Sequence, residues 1–415
     1  MNVKKICMLL AASITISFSC LNIAYAEEES TVNSEADTAS EKKLSEDSMW
    51  EYTIQTDEES GEEYACIESY YGSDTEITIP ENIDGNTVKR LGNYAFYENE
   101  RVTKFTISEN LEYFGDFSFF GCTALKEFEV NDKNDIYEVK NGALLGDDSQ
   151  LFVCFPAGKT ETEYTIPDGV IALNPAAFAT CYNLKKVNFP ETLETIGLYC
   201  FAECKLLNNI IIPDNVQELG DFSFCGCTSL TDITLPDTMH TIGNAAFFKC
   251  TSLNKIEFPE YLQEIGQCAF VSTGFTEIEI PYTVQKIGYS AFGFTTDQSD
   301  QLVAMNSFTL KGLSGSVAQT YCAEEGNENI SFVATYEEAT QESESTEGKK
   351  EGGLKPGIIA GIVIGCGAAV IIAVLIIMSA RSKKPDDEDD EYDDESGNVP
   401  DEDEKEDTVD SENKE

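Results

Sequence analysis

The chain has 415 residues, is 41% hydrophobic and 10% aromatic, and carries a formal net charge of −49 at pH 7. That much apolar material can build a core, so the acidity does not mark a disordered chain. A surface this acidic repels phosphate backbones, which argues against nucleic acid as a partner and favours basic protein patches or cations.

The N-terminus reads as an address. Lys4 and Lys5 precede an apolar run from Ile6 to Phe18, and Ala24-Tyr25-Ala26 has the small-x-small pattern of a cleavage site, so residues 1–26 form a secretory signal peptide. Cys20 does not make it a lipoprotein signal, because Ser17 stands where an aliphatic residue is usual. Residues 27–47 are acidic and rich in Ser and Thr, a composition that predicts a disordered linker. An ectodomain follows over 48–335.

That ectodomain repeats itself every 23 residues. Ile196–Glu218 (IGLYCFAECKLLNNIIIPDNVQE) aligns position for position with Ile242–Glu264 (IGNAAFFKCTSLNKIEFPEYLQE). The units start at Leu91, Phe114, Leu173, Ile196, Leu219, Ile242, Ile265 and Ile287; the last step is 22, and the step of 59 after Phe114 marks an insertion. A Gly follows most starts (Gly92, Gly115, Gly197, Gly220, Gly243, Gly266, Gly288), where a tight turn with positive φ is expected. Next come a small residue and an unvarying Phe: Phe96, Phe119, Phe178, Phe201, Phe224, Phe247, Phe270 and Phe292. Small then large at each turn predicts a stacked aromatic spine.

A short strand follows in each unit. Leu184, Val187 and Phe189, and likewise Leu207, Ile210 and Ile212, alternate at period two before a closing proline such as Pro190 or Pro213. One coil cannot bury its apolar side alone, but coils stacked at ~4.8 Å can. The fold class is therefore a repeat solenoid of the α/β horseshoe kind. Short parallel strands are expected on one face and short helical turns around the Ala-Phe pairs on the other.

These units resemble the BspA-like leucine-rich-repeat family, whose coils read IGxxAFxxCxxLxxIxxPxxLxx, from about Ala65 to Val333. The resemblance implies an entry cap over about 64–90, with strands near 64–70 and 76–79. It also implies a hairpin-bearing repeat over 131–167 that turns at Gly146-Asp147-Asp148, and a closing cap over 307–333 in which SGSVAQTYCAEEGN is a short helix. Asn174-Pro175 in place of the turn Gly, and Asn99 and Thr273 in place of Cys, are departures from the pattern.

Residues 336–356 read as a flexible stalk. Gly357–Ala380 is 24 residues without a charge, ~36 Å as a helix and long enough to span a membrane. Arg381, Lys383 and Lys384 follow it, as befits a cytoplasmic flank. The tail over 381–415 holds 18 acidic against 5 basic side chains. The expected protein is single-pass in the cell membrane, with its N-terminal ectodomain outside. Gly357, Gly361 and Gly365 form a tandem GxxxG through which two copies could pair as a homodimer.

The chemistry-bearing residues point away from catalysis. Cys122, Cys181, Cys204, Cys227 and Cys250 share one repeat position and predict a ladder of buried thiols, with disulfides between rungs as the alternative. His240 is the one histidine, too little for a triad, a dyad or a His-based metal site. Asp132–Tyr137 lacks the Gly of an EF-hand loop. No residue is assigned a catalytic, cofactor or metal-ligating role, and the chain is not expected to be an enzyme.

Lys185, Lys186, Asn188, Asn208, Asn209, Thr231, Asp232, Thr234, Asn254, Lys255 and Glu257 lie between the buried strand positions, where a solenoid lines them up as one face. Members of the resembled family are associated with attachment and with binding host matrix proteins. The resemblance therefore implies an adhesin or ligand-binding module that holds an extracellular protein or glycan on this face. A structural component of the cell envelope, without a soluble ligand, is the alternative.

Overall fold

The computed structural model describes residues 41–335. The expected signal peptide over 1–26, linker residues 27–40, the expected stalk over 336–356, the apolar run over 357–380 with its three glycines, and the acidic stretch over 381–415 lie outside the described residues. Among the described residues no helix is long and apolar enough to cross a membrane.

The phenylalanines stack in register as their spacing predicts. Phe178, Phe201, Phe224, Phe247, Phe270 and Phe292 form a column with successive ring centroids 4.9, 5.2, 5.7, 5.3 and 5.1 Å apart and planes within 18° of parallel. Each such pair adds ~0.5–1.5 kcal/mol beyond the area it buries. The column breaks at the insertion. Phe119 stacks back on Phe96 at 6.0 Å, while Phe152 and Phe155 of the inserted hairpin supply the rung below Phe178, at 4.7 and 5.6 Å. The core accordingly divides into two clusters, with Phe119 in one and Phe178 in the other.

Each regular coil feeds two parallel ladders, not one. The expected strands appear as Glu163–Thr165, Lys186–Asn188, Asn209–Ile211 and Asp232–Thr234. A second ladder runs through the repeat starts: Ala172–Leu173, Thr195–Ile196, Glu218–Leu219, Thr241–Ile242, Glu264–Ile265 and Lys286–Ile287. With the inserted strands Tyr137–Lys140, Ala143–Gly146 and Leu151–Cys154 it makes a nine-stranded sheet. A two-residue strand is too short to show alternation, so the sequence pattern hides it.

The expected helical turns are corrected. The Ala-Phe segments run as successive β-turns, because two residues four apart take left-handed backbone in each regular coil. Tyr199 (φ 55°) and Glu203 (φ 61°) do so in one, Ala245 (φ 51°) and Lys249 (φ 59°) in another. Left-handed residues at that spacing break an α-helix. The wall is held between coils instead: Tyr199 N donates to Asp221 O at 2.9 Å, Phe201 N to Ser223 O at 2.7 Å, and Glu203 N to Cys225 O at 2.7 Å.

The repeated glycines also serve a different purpose from the expected one. Gly197, Gly220, Gly243 and Gly266 are not left-handed. A Cβ on Gly243 would stand 2.6 Å from Leu219 O, and one on Gly197 2.7 Å from Leu173 O. The position demands close approach of one coil's backbone to the next. Asn174 carries a side chain there because the backbone beneath it is the hairpin strand, whose Phe152 O accepts its N–H at 2.9 Å.

The ends are closed by caps. Lys43–Leu44 pairs antiparallel with Trp50–Thr56, which pairs with Glu63–Tyr70. The entry cap therefore begins inside the stretch whose composition predicts a disordered linker to residue 47. Trp50 accounts for this, since its ring seals the cap 4.7 Å from Tyr70 and 6.3 Å from Phe96. At the other end Phe308–Gly312, the helix Val317–Ala323 and Ile330–Ala334 form the closing cap. Tyr321 Oη accepts from Phe292 N and donates to Phe292 O, both at 3.1 Å.

Candidate ligand-binding face

The short strands alternate about a buried centre, which puts Val187, Ile210 and Ile233 in the core and their neighbours outside, exposed except for the half-buried Asn188. Register then assembles the face in rows. Lys186 sits between Glu163 and Asn209, and Asp232 follows Asn209. Asn188 pairs with Thr165, and Ile211 with Thr234. Lys185, Asn208 and Thr231 make a third row: Asn208 N donates to Lys185 O, and both Thr231 N and Thr231 Oγ1 donate to Asn208 O, each at 3.1 Å. Eight of the eleven expected residues are thus brought together.

Asn254, Lys255 and Glu257 are not. They are exposed but belong to no strand, and the ladder ends at Asp232–Thr234. The next strand, Glu277–Glu279, pairs with Phe308–Gly312 instead. The turn through Thr273-Gly274 is one residue shorter than its counterpart in the preceding coil. Lys255 spends its charge on Glu257, 2.9 Å away. The face predicted as continuous is therefore three separate ladders, the first built from Glu76–Thr78, Lys104–Ile107 and Glu127–Val130.

Charge distinguishes the middle ladder from the other two. Lys104 is paired with Glu127 and Glu129, and Lys311 with Glu277. Among the described residues neither Lys185 nor Lys186 has an acidic oxygen within 4 Å. They are a cationic point on a strongly acidic protein.

The same ladder is also imperfect. Glu163–Thr165 and Asp232–Thr234 each share three register pairs with their neighbour, but Lys186–Asn188 and Asn209–Ile211 share one, Lys186 with Asn209. Ile166 N donates to Asn188 O and Ile212 N to Thr234 O, both at 3.0 Å. No equivalent bond joins Phe189 N to Ile211 O. A depression of about 220 Å³ opens there, with Lys186, Asn188 and Asn209 as polar walls and Phe189, Ile211 and Pro213 as apolar surface. Pattern reading singles out the polar three; it places Ile211 among the exposed strand positions without making it a candidate, and assigns Phe189 to the buried face and Pro213 to the close of the strand. The available signal was Ile211 itself, an aliphatic residue in a column otherwise of Thr165, Asn188 and Thr234, and 65% exposed.

The cysteine ladder lies in the core and offers no chemistry to this face. The described cysteines are free. Cys204 Sγ donates to Phe178 O at 3.0 Å, Cys227 Sγ to Phe201 O at 3.2 Å and Cys250 Sγ to Phe224 O at 3.1 Å. Burial pushes the Cys122 thiol up to about 12 and raises those of Cys181, Cys227 and Cys250. Thiols held protonated are poor nucleophiles and poor ligands. Among the described residues no three His, Cys, Asp or Glu side chains are grouped to hold a metal.

The family described as BspA type leucine rich repeat region matches the chain in six copies, over residues 64–151, 153–236 and 171–299. No curated protein matches it. Among solved structures, a leucine-rich repeat protein from Eubacterium ventriosum is 24% identical with a TM-score of 0.43, covering 52% of this chain and 63% of that one. The chain thus spans less than two thirds of that relative's length. A leucine-rich repeat protein of T. pallidum is 23% identical (TM-score 0.32; 55% of this chain, 89% of that one). A leucine rich cell surface protein from Faecalibacterium prausnitzii is 18% identical (TM-score 0.30; 64% and 70%).

Proposed function

We propose, from the premise that this chain belongs to the BspA-type leucine-rich-repeat family, that it is a non-enzymatic cell-surface binding protein whose solenoid holds an extracellular protein or glycan. One observation carries the reading. The middle ladder presents rows of exposed polar side chains on a rigid stacked core, with two lysines that have no acidic oxygen within 4 Å among the described residues. Rigid surfaces with unspent charge lose little on binding and steer oppositely charged partners. The signal peptide over 1–26 and the apolar run over 357–380 support export and anchoring, with the tail over 381–415 inside.

The test is binding of the purified full chain to a panel of extracellular matrix proteins and glycans. Saturable binding that falls about tenfold or more in a Lys185→Glu/Lys186→Glu variant is the expected result. Absence of saturable binding across the panel counts against the reading. An envelope-scaffold role gains if charge reversal at Lys185, Lys186 and Lys255 changes no phenotype while deletion of 357–380 does.

A further inference from the structure

The opening between Lys186–Asn188 and Asn209–Ile211 breaks an otherwise regular ladder, and its surroundings are specific enough to name what fits it. Resting on the binding reading above, we infer that this depression takes one residue of an extended peptide from another protein, an aliphatic side chain next to an acidic one.

Three features converge on that occupant. First, the missing rung leaves Phe189 N–H and Ile211 C=O on opposite walls without a bond between them. The backbone of an extended peptide can offer its C=O to Phe189 N–H or its N–H to Ile211 C=O. Because only one stretch of ladder opens, the site admits a single residue and not a whole added strand.

Second, the surface beside those groups is apolar. Ile211 is 65% exposed and adjoins Phe189 and Pro213. An aliphatic side chain covers this area, whereas a sugar ring would look for an exposed aromatic face, and the half-buried Phe189 does not offer one. The exposed Tyr261 and Tyr282 stand beyond the end of this ladder.

Third, the charges are arranged in a direction. Lys186 lines one side, with Lys185 beside it, and neither has an acidic partner within 4 Å among the described residues. Glu191 also lines the depression, five residues further along the chain than Lys186 and past Pro190. A carboxylate is therefore drawn towards the lysines and repelled from Glu191, which fixes the order of acidic and aliphatic residue along the bound segment.

The experiment uses the full chain and labelled octapeptides carrying Asp-Leu, Glu-Ile or Asp-Val pairs in a Gly-Ser background, read by fluorescence anisotropy. The Asn-Leu peptide and a sulfated oligosaccharide serve as comparators. The expected result is binding of the acidic peptides that weakens about tenfold in Ile211→Thr and in Lys186→Glu, with the Lys255→Glu variant within about twofold of the parent. Ile211→Thr copies the residue at the same position two strands away, so it preserves the ladder. Unchanged peptide binding in Ile211→Thr overturns the inference. So does equal binding of the Asn-Leu peptide, or displacement by the sulfated oligosaccharide with sensitivity to Lys186→Glu alone. If the peptides do not bind while the chain still binds members of the matrix and glycan panel, this inference fails and the broader reading stands. If nothing binds in either assay, both fail.

Discussion

The thiol of Cys227 donates to the carbonyl of Phe201, 3.2 Å away and one coil back. Cys204 and Cys250 repeat the contact on their own preceding phenylalanines. Each cysteine thus adds a second donor to a carbonyl that already accepts a backbone N–H, and fills a small apolar space beside the aromatic column. A small hydrophobe with a weak donor suits both tasks.

Stability should consequently fall at alkaline pH. The Cys122 thiol lies at about 12 in the fold, raised by burial from an ordinary value of 9.0, and its relatives are raised in the same sense. The folded state therefore keeps protons that the unfolded chain begins to release near pH 9. The stabilisation is complete below that pH and is lost as pH climbs through the folded-state value. Chemical denaturation at pH 7, 9 and 10.5 should show midpoints dropping only above pH 9. Alkylation of Cys122, Cys181, Cys204, Cys227 and Cys250 by iodoacetamide should be slow until denaturant is added; rapid modification of these five in the native chain at pH 8, read by peptide mass spectrometry, would contradict the buried ladder.

Gly243→Ala should destabilise by about 1–3 kcal/mol, the usual range for overpacking. The added methyl would stand 2.6 Å from Leu219 O, on backbone that cannot turn aside. Thermal unfolding measures the effect. An unchanged melting temperature would mean that coils separate more easily than their hydrogen bonds imply.

Thr180→Gly should do the opposite. Thr180 is a β-branched residue at φ 60°, and its buried Oγ1 has no hydrogen-bond partner. Gly121 and Gly226 already occupy this place in other coils, with φ of 78° and 74°. Relief of the left-handed backbone and removal of the orphaned hydroxyl should together raise stability by about 1 kcal/mol. A lower melting temperature would show that the lost methyl packing outweighs both.

Binding through Lys185 and Lys186 should depend on salt. Both side chains are exposed, so their attraction for an acidic partner is screened over a Debye length of about 8 Å at physiological ionic strength. Affinity should fall between 50 and 500 mM NaCl (roughly 14 to 4 Å screening length) in the parent and much less in a Lys185→Glu/Lys186→Glu variant. Equal salt dependence in the two would remove the lysines from the interface.

What the sequence made legible follows from how strongly each feature repeats. Eight phenylalanines at one spacing announce a column, and Phe201, Phe224 and Phe247 form it. Asn141-Gly142, both with positive φ (51° and 78°), is a hairpin turn that the dipeptide itself signals, although the reading caught only the turn after it. The ladder through Leu219 and Ile242 stayed hidden because two residues cannot display a period. Gly243 shows a subtler limit: its type was informative, but the reason lay in the neighbouring coil and not in its own φ. The depression depends on a missing rung between Phe189 and Ile211, a property of registration between coils that no single repeat records.

The outer wall has a polarity. Tyr199, Phe201 and Glu203 direct their N–H groups to the coil that follows, and so do Cys268, Phe270 and Ser272, until Phe292 meets the hydroxyl of Tyr321. A polypeptide made from its N-terminus forward would hold these donors unmatched until the succeeding turn arrived. Completion then falls to the last segment synthesised, and a chain cut short before Tyr321 would be left with an open, adhesive final coil.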